Sequence, residues 1–129
     1  MKSFLCPLLR PGVPPSALTN TRNNRTVART LLTAFDSASR RRGLLGRNGL
    51  EDGSALIIAP TSAIHTFSMR FAIDVAFVSR DGRVLEVRVA VKPWRISGAW
   101  GAFAVIELPA GALEQSDTRP GDLLQVTAI

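Results

Sequence analysis

The chain has 129 residues, 46% of them hydrophobic and 20% charged, which suits one domain able to bury a core without disulfides or metals. A single cysteine, Cys6, excludes an internal disulfide and a cysteine-based metal cage, and no apolar run reaches the roughly 18 residues that a membrane span requires. The formal charge of +6 is uneven: residues 1–47 hold nine basic residues against Asp36 alone, and the remainder holds seven basic against nine acidic.

Residues 1–25 contain Pro7, Pro11, Pro14 and Pro15 among Ser, Thr and Asn. Prolines at that density break helices and cannot donate to a ladder, so this part reads as an irregular, basic leader, with residues 26–129 as a single compact β domain. Lys2 followed by Phe4-Leu5-Cys6-Pro7-Leu8-Leu9 imitates the start of a secretory signal, but Arg10 closes the apolar part too early. The expected location is the cytoplasm, with export left open. The arginines of the leader suit an anion, yet no aromatic platform or nucleic-acid motif accompanies them, so nucleic acid is disfavoured as a partner.

Thr26 to Phe35 predicts a first strand, with Val27, Leu31, Leu32 and Phe35 as its apolar positions. Asp36 is suited to accept the free donors of a helical first turn, predicting a short helix from Ser37 to Arg42 that stops at Gly43. Leu44 and Leu45 would anchor its end in the core. Asn48-Gly49 and Asp52-Gly53 are turn dipeptides. Ser54 to Ala59 reads as a buried strand closed by Pro60, and Ala63 to Arg70 with Ile73 to Ser79 as two further strands or one bent strand. Asp81-Gly82 between Phe77-Val78 and Val84-Leu85 predicts a hairpin, with Leu85, Val87, Val89 and Val91 on one side and Glu86 and Arg88 toward water. Trp94 and Trp100 flank a loop, where covering an open sheet edge is their expected use. Ala102 to Leu108 predicts a strand, Ala112 to Gln115 a helical turn, and Leu123 to Ala128 a last strand after the turn Arg119-Pro120-Gly121-Asp122. About seven short strands with one or two short helices predict a mainly β sandwich or partly closed barrel. An α/β fold would need long crossover helices, which are missing from the pattern.

The stretch Ile64 to Phe77 holds the only histidine, His65, together with Arg70 and Asp74 in an apolar alternation. Polar groups in such a run are costly to bury without partners. They form, with Thr66, Glu107 and Arg42, the candidate ligand-binding set. His65 is a weak catalytic candidate as a general base, with Ser62, Thr66 or Ser68 as hydroxyls nearby, although a hydrogen-bonded core histidine is the commoner arrangement. Asp74 suits either a ligand or the backbone donors of a bend, and Glu107 either a sheet edge or an arginine partner. Of Arg40, Arg41 and Arg42, one is expected to turn inward. One histidine and one cysteine far apart exclude the usual zinc sites, and no glycine-rich phosphate loop or Gly-x-Ser-x-Gly elbow is present. No metal or cofactor is expected.

Arg42-Gly43-Leu44-Leu45-Gly46-Arg47, His65-Thr66-Phe67-Ser68-Met69-Arg70, Ile73-Asp74-Val75-Ala76-Phe77, Asp81-Gly82-Arg83-Val84, Val105-Ile106-Glu107-Leu108-Pro109-Ala110-Gly111 and the closing Gly121-Asp122 occur in this order. Over roughly residues 27–128 they resemble an uncharacterised bacterial and archaeal family, domain of unknown function number 192. The resemblance implies a mainly β, jelly-roll-like sandwich and no activity. Many relatives carry a tryptophan where Ser68 stands, then a longer segment with a lysine, an asparagine and a proline, which the shorter Arg70-Phe71-Ala72 connection lacks here. The expected function is a non-catalytic accessory domain, a monomer that binds a small molecule or a protein. A small hydrolase or lyase using His65 with a nearby carboxylate is the alternative, and anion binding by the leader the second alternative.

Overall fold

A computed structural model describes residues 3–9, 12, 15–43, 48–67 and 69–129. A single 3-10 turn at Cys6–Leu8 precedes β1 (Ser16–Asn20), β2 (Arg25–Ala28), β3 (Thr30–Ala34), the helix α1 (Ser37–Arg42), β4 (Ser54–Ile58), β5 (Ala63–His65) and β6 (Ile73–Val78). There follow β7 (Val84–Val91), β8 (Ile96–Gly98), β9 (Ala104–Pro109), the short helix α2 (Ala112–Gln115) and β10 (Leu124–Ala128). The fold is mainly β, with ten strands rather than about seven among the described residues. Its sheets are open: three strands in the order β10-β1-β2, five in the order β3-β4-β9-β6-β7, and the pair β5-β8. No helix among the described residues is long and apolar enough to cross a membrane.

The five-stranded sheet is covered on both faces, which explains why β4, β6 and β9 are buried along almost their whole length. On one face Ile57, Val78, Ile106 and Leu108 meet Leu18, Val27, Leu124 and Val126 of the three-stranded sheet. On the other, Leu56, Ile58, Val75, Phe77 and Val105 pack with Met69 and Ala99. Along β9 the period of two sends Ala104, Ile106 and Leu108 to the first face, and Val105 with Glu107 to the second. Each fully buried Leu or Ile contributes roughly 1.5–3 kcal/mol, so these two layers hold the sheets together.

The predicted strand from Thr26 to Phe35 is two strands in different sheets. The N–H groups of Arg29 and Thr30 both donate to the Gly53 carbonyl, at 2.7 and 3.0 Å, and there the chain changes sheet. β3 and β4 then run parallel, and residues 35–53 make the crossover with α1 instead of a long helix. Asp36 caps α1 as the sequence suggests, its carboxylate accepting the Ser39 N–H at 2.8 Å, and Gly43 ends the helix at φ 47°. Leu44 and Leu45 lie outside the described residues. The predicted strand over Ala63–Arg70 stops at His65, because the Thr66 hydroxyl donates to the Lys92 carbonyl at 2.7 Å and accepts the Arg95 N–H at 2.8 Å. Those bonds turn the chain toward residues 92–95.

The irregular leader needs correction in its second half. Residues 16–20 form β1, paired with β10 and β2, and Leu5 is buried in the first apolar layer. The turn after β1 also carries polar anchors. The Asp122 carboxylate accepts from Asn20 Nδ2 at 2.8 Å, Arg22 Nε at 2.7 Å and the Arg119 N–H at 2.9 Å. Burial pushes this carboxyl up, and the bonds from Arg22, Asn20 and Arg119 outweigh it, holding it at about 2 instead of 3.8. A lowered carboxyl stabilises the fold above its unfolded value and loses that effect as pH falls through about 2. Asp122→Ala is therefore expected to cost about 2 kcal/mol near neutral pH, with the gap to the parent narrowing below pH ~4 in denaturant titrations.

Candidate functional site

Glu107 organises the site. Its neighbours across the ladders are Leu56 on β4 and Val75 on β6, so the carboxyl stands at the middle of the five-stranded sheet, on the face away from the three-stranded one. The residue is 2% exposed, and its buried Oε1 has no hydrogen-bond partner among the described residues. Expected at a sheet edge or matched to an arginine, it is neither: no ion pair to it occurs among the described residues. Burial pushes its carboxyl up from 4.5 to about 7.

Above Glu107 opens a cavity of about 430 Å³. Ile58 and Met69 form apolar wall, Thr61 and His65 polar wall, and Arg40, Arg41 and Arg42 stand on the side formed by α1. The Asp36 cap places the three arginines in the last helical turn, where cations also complement the helix dipole. Arg40 is folded back, donating to the Phe35 carbonyl at 2.8 Å. Arg41 and Arg42 are exposed and in no ion pair among the described residues. The cavity thus has an acidic group in its wall and a basic flank.

His65 is an exposed residue of the two-stranded ribbon rather than a core histidine. Its ring lies against Phe67 with centroids 5.1 Å apart, and Phe67 stacks on Trp94 at 5.7 Å. Phe67 is 38% exposed, and Trp94 and Trp100 are 62% and 99% exposed, so neither tryptophan is packed away over a sheet edge. Of the residues singled out in the sequence, the cavity gathers His65, Glu107 and Arg42. Thr66 is buried in the backbone bonds already described. Arg70 is exposed and donates to Asn48 Oδ1 at 2.8 Å. Ser68 lies outside the described residues.

Asp74 is on the other face of the sheet. It is fully buried, with Oδ1 accepting the Ala90 N–H at 2.9 Å and Oδ2 accepting those of Gly111 and Leu113 at 3.0 and 3.1 Å. Ala90, at φ 51°, marks the irregularity in the β6–β7 register that turns its N–H out of the ladder. The other two donors belong to the first turn of α2, whose own N-cap, Gly111, has no side chain to accept them. A His65–Asp74 dyad is therefore not formed.

Residues 18–126 match the family described as Uncharacterized ACR, domain of unknown function number 192. The chain belongs to this family. The match of this family member begins at Leu18, inside β1, so the rest of β1 and all of β2 belong to it, which corrects the expectation that it starts near residue 27. No curated protein matches the chain. The crystal structure of a protein of unknown function from Novosphingobium aromaticivorans DSM 12444 is similar, with a TM-score of 0.74 and 24% identity over 90% of this chain and 89% of that one. A second, described as "a putative transcription regulator" from Sinorhizobium meliloti 1021, gives 0.75 and 20% identity over 86% of this chain and 91% of that one. At these identities the likeness shows the shared fold.

For this family member the sequence leaves Thr61, Met69 and the joint placement of the three arginines unassigned to a site. A helix of six residues ended by three arginines pointed to the C-terminal turn. Which sheet face that turn overhangs depends on the parallel β3–β4 crossover, which local pattern does not reveal.

Proposed function

We propose that this chain is a non-catalytic, small-molecule-binding domain and that the Glu107 cavity is its site. The observation that supports this reading most is the carboxyl itself: a buried acceptor oxygen without a partner among the described residues, in the wall of a cavity large enough for a metabolite. An unpaired buried polar atom costs the fold free energy, and a ligand donor at that point would recover it. The arginine flank adds attraction for an anionic group. The hydrolase alternative has less support: Glu107 lines the same cavity as His65, but no hydrogen bond joins the two among the described residues, His65 packs on Phe67, and Asp74 is spent on backbone donors across the sheet. Anion binding by the leader is weakened too, since Arg22 is held by Asp117 and Asp122.

Met69 and His65 are convenient reporters, one of two methionines and the only histidine. In an NMR fragment screen of the full chain, ligands are expected to shift the Met69 methyl and His65 ring signals together, and to stop doing so in Glu107→Gln. Fragments that bind both proteins equally, or that shift neither reporter, would remove the cavity as the site.

A further inference from the structure

Resting on that reading, we propose that the ligand is a small amphoteric molecule, with an ammonium or similar donor head on Glu107 and a carboxylate or phosphate tail at the arginines of α1. Glu107 Oε1 is buried and has no partner among the described residues, so a donor would satisfy it, and a cationic donor makes the strongest bond to a carboxylate. The α1 side of the same cavity offers Arg41 and Arg42, exposed and in no ion pair among the described residues. A purely cationic ligand would meet repulsion from those guanidinium groups. A purely anionic one would meet Glu107 on its way in. A molecule with both charges at its two ends satisfies both groups, and Ile58 and Met69 supply apolar wall for a short hydrocarbon between them.

The two charges have a consequence for protons. Burial holds the Glu107 carboxyl at about 7, so part of the population carries a proton near neutral pH. An ammonium head favours the ionised form, so binding expels that proton to solvent and tightens as pH rises through this range. The titratable and charged groups on the cavity wall are Glu107, His65 and Arg40, Arg41 and Arg42. His65 is therefore replaced by Gln in a control.

The test is calorimetric titration of the full chain with unbranched ω-amino acids from β-alanine to ε-aminocaproate, beside the matching alkylamines and alkanoates, in buffers of different ionisation enthalpy. At least one amino acid is expected to bind on the order of tenfold or more tightly than either of its halves. Proton release is expected near neutral pH, unchanged in His65→Gln. Glu107→Gln and the double variant Arg41→Gln/Arg42→Gln are each expected to abolish the margin. Tight binding of the alkanoate alone with proton uptake would overturn the proposal, making protonated Glu107 a donor to an acid, while the cavity would survive as a site. Binding of the amine alone as tightly as the amino acid would overturn the role of the arginines. If no member of the series binds while fragments still shift Met69 and His65, the amphoteric assignment fails and the small-molecule site stands. If the fragments also leave both reporters still, both fail.

Discussion

Asp74→Ala is expected to lower the stability of the fold by about 4 kcal/mol, the largest effect of any single polar substitution considered for this chain. The reason lies in what the carboxylate holds. Its two oxygens accept three backbone N–H groups, from Ala90 at 2.9 Å, Gly111 at 3.0 Å and Leu113 at 3.1 Å. Removing a buried acceptor strands its donors at roughly 1–3 kcal/mol each, and only those that water can reach recover part of that. Ala90 lies on an exposed stretch of the edge strand, whereas Leu113 is 3% exposed, so the loss concentrates at the start of α2. Asp74→Asn keeps one carbonyl acceptor and turns an amide toward donors, and about half the cost is expected to remain. Urea titration at unchanged slope checks the magnitude, and amide exchange checks the place, with Leu113 losing protection more than residues of β9. A loss below about 1 kcal/mol would mean that water replaces the carboxylate. A natural total of about 5–15 kcal/mol leaves the alanine variant folded but marginal.

The same aspartate shows how far the sequence could be read. Its alternatives were a ligand contact or a set of backbone donors at a bend, and the residue does the second across 16, 37 and 39 positions of chain. Local chemistry carried the local features. Asp36 before Ser37 and Gly43 after Arg42 bound a helix because a carboxylate can take the Ser39 N–H and a glycine can adopt φ 47°. Asp81-Gly82 joins β6 to β7 for the same kind of reason. What failed was long-range. Asn20 and Arg22 belong to an ordered part of the fold because Asp122, about a hundred residues later, accepts from them, and nothing in a run of prolines announces that. The alternation through Ile64 to Phe77 placed His65 in the core, but Thr66 ends the strand with bonds to Lys92 and Arg95, and the histidine emerges on a ribbon. Glu107 was visible as a carboxyl between Ile106 and Leu108. That it has no arginine partner among the described residues was not visible, nor was its seat on the central strand, which depends on the order of five strands.

Glu107→Gln is expected to stabilise the free protein by about 3 kcal/mol at pH ~8 and to change it little at pH ~4. Burial raises the folded carboxyl from 4.5 to about 7. Between those values the unfolded chain has lost a proton that the native chain still holds. Unfolding then releases a proton, so native stability falls as pH rises through this window, and the full penalty is present above it. A glutamine of nearly the same shape never ionises and escapes the penalty, whereas near pH ~4 the parent carboxyl is itself neutral and the two proteins converge. Urea midpoints of both proteins at pH ~4, ~6 and ~8 test this directly, because the other titrating groups are common to the pair and cancel in the difference. Parallel curves would show that the ionised carboxylate is already compensated, and the case for Glu107 as an unpartnered acceptor awaiting a ligand would fall with it. The expected divergence, joined to loss of binding in the same variant, would mark Glu107 as a group kept for a ligand at a cost to the fold.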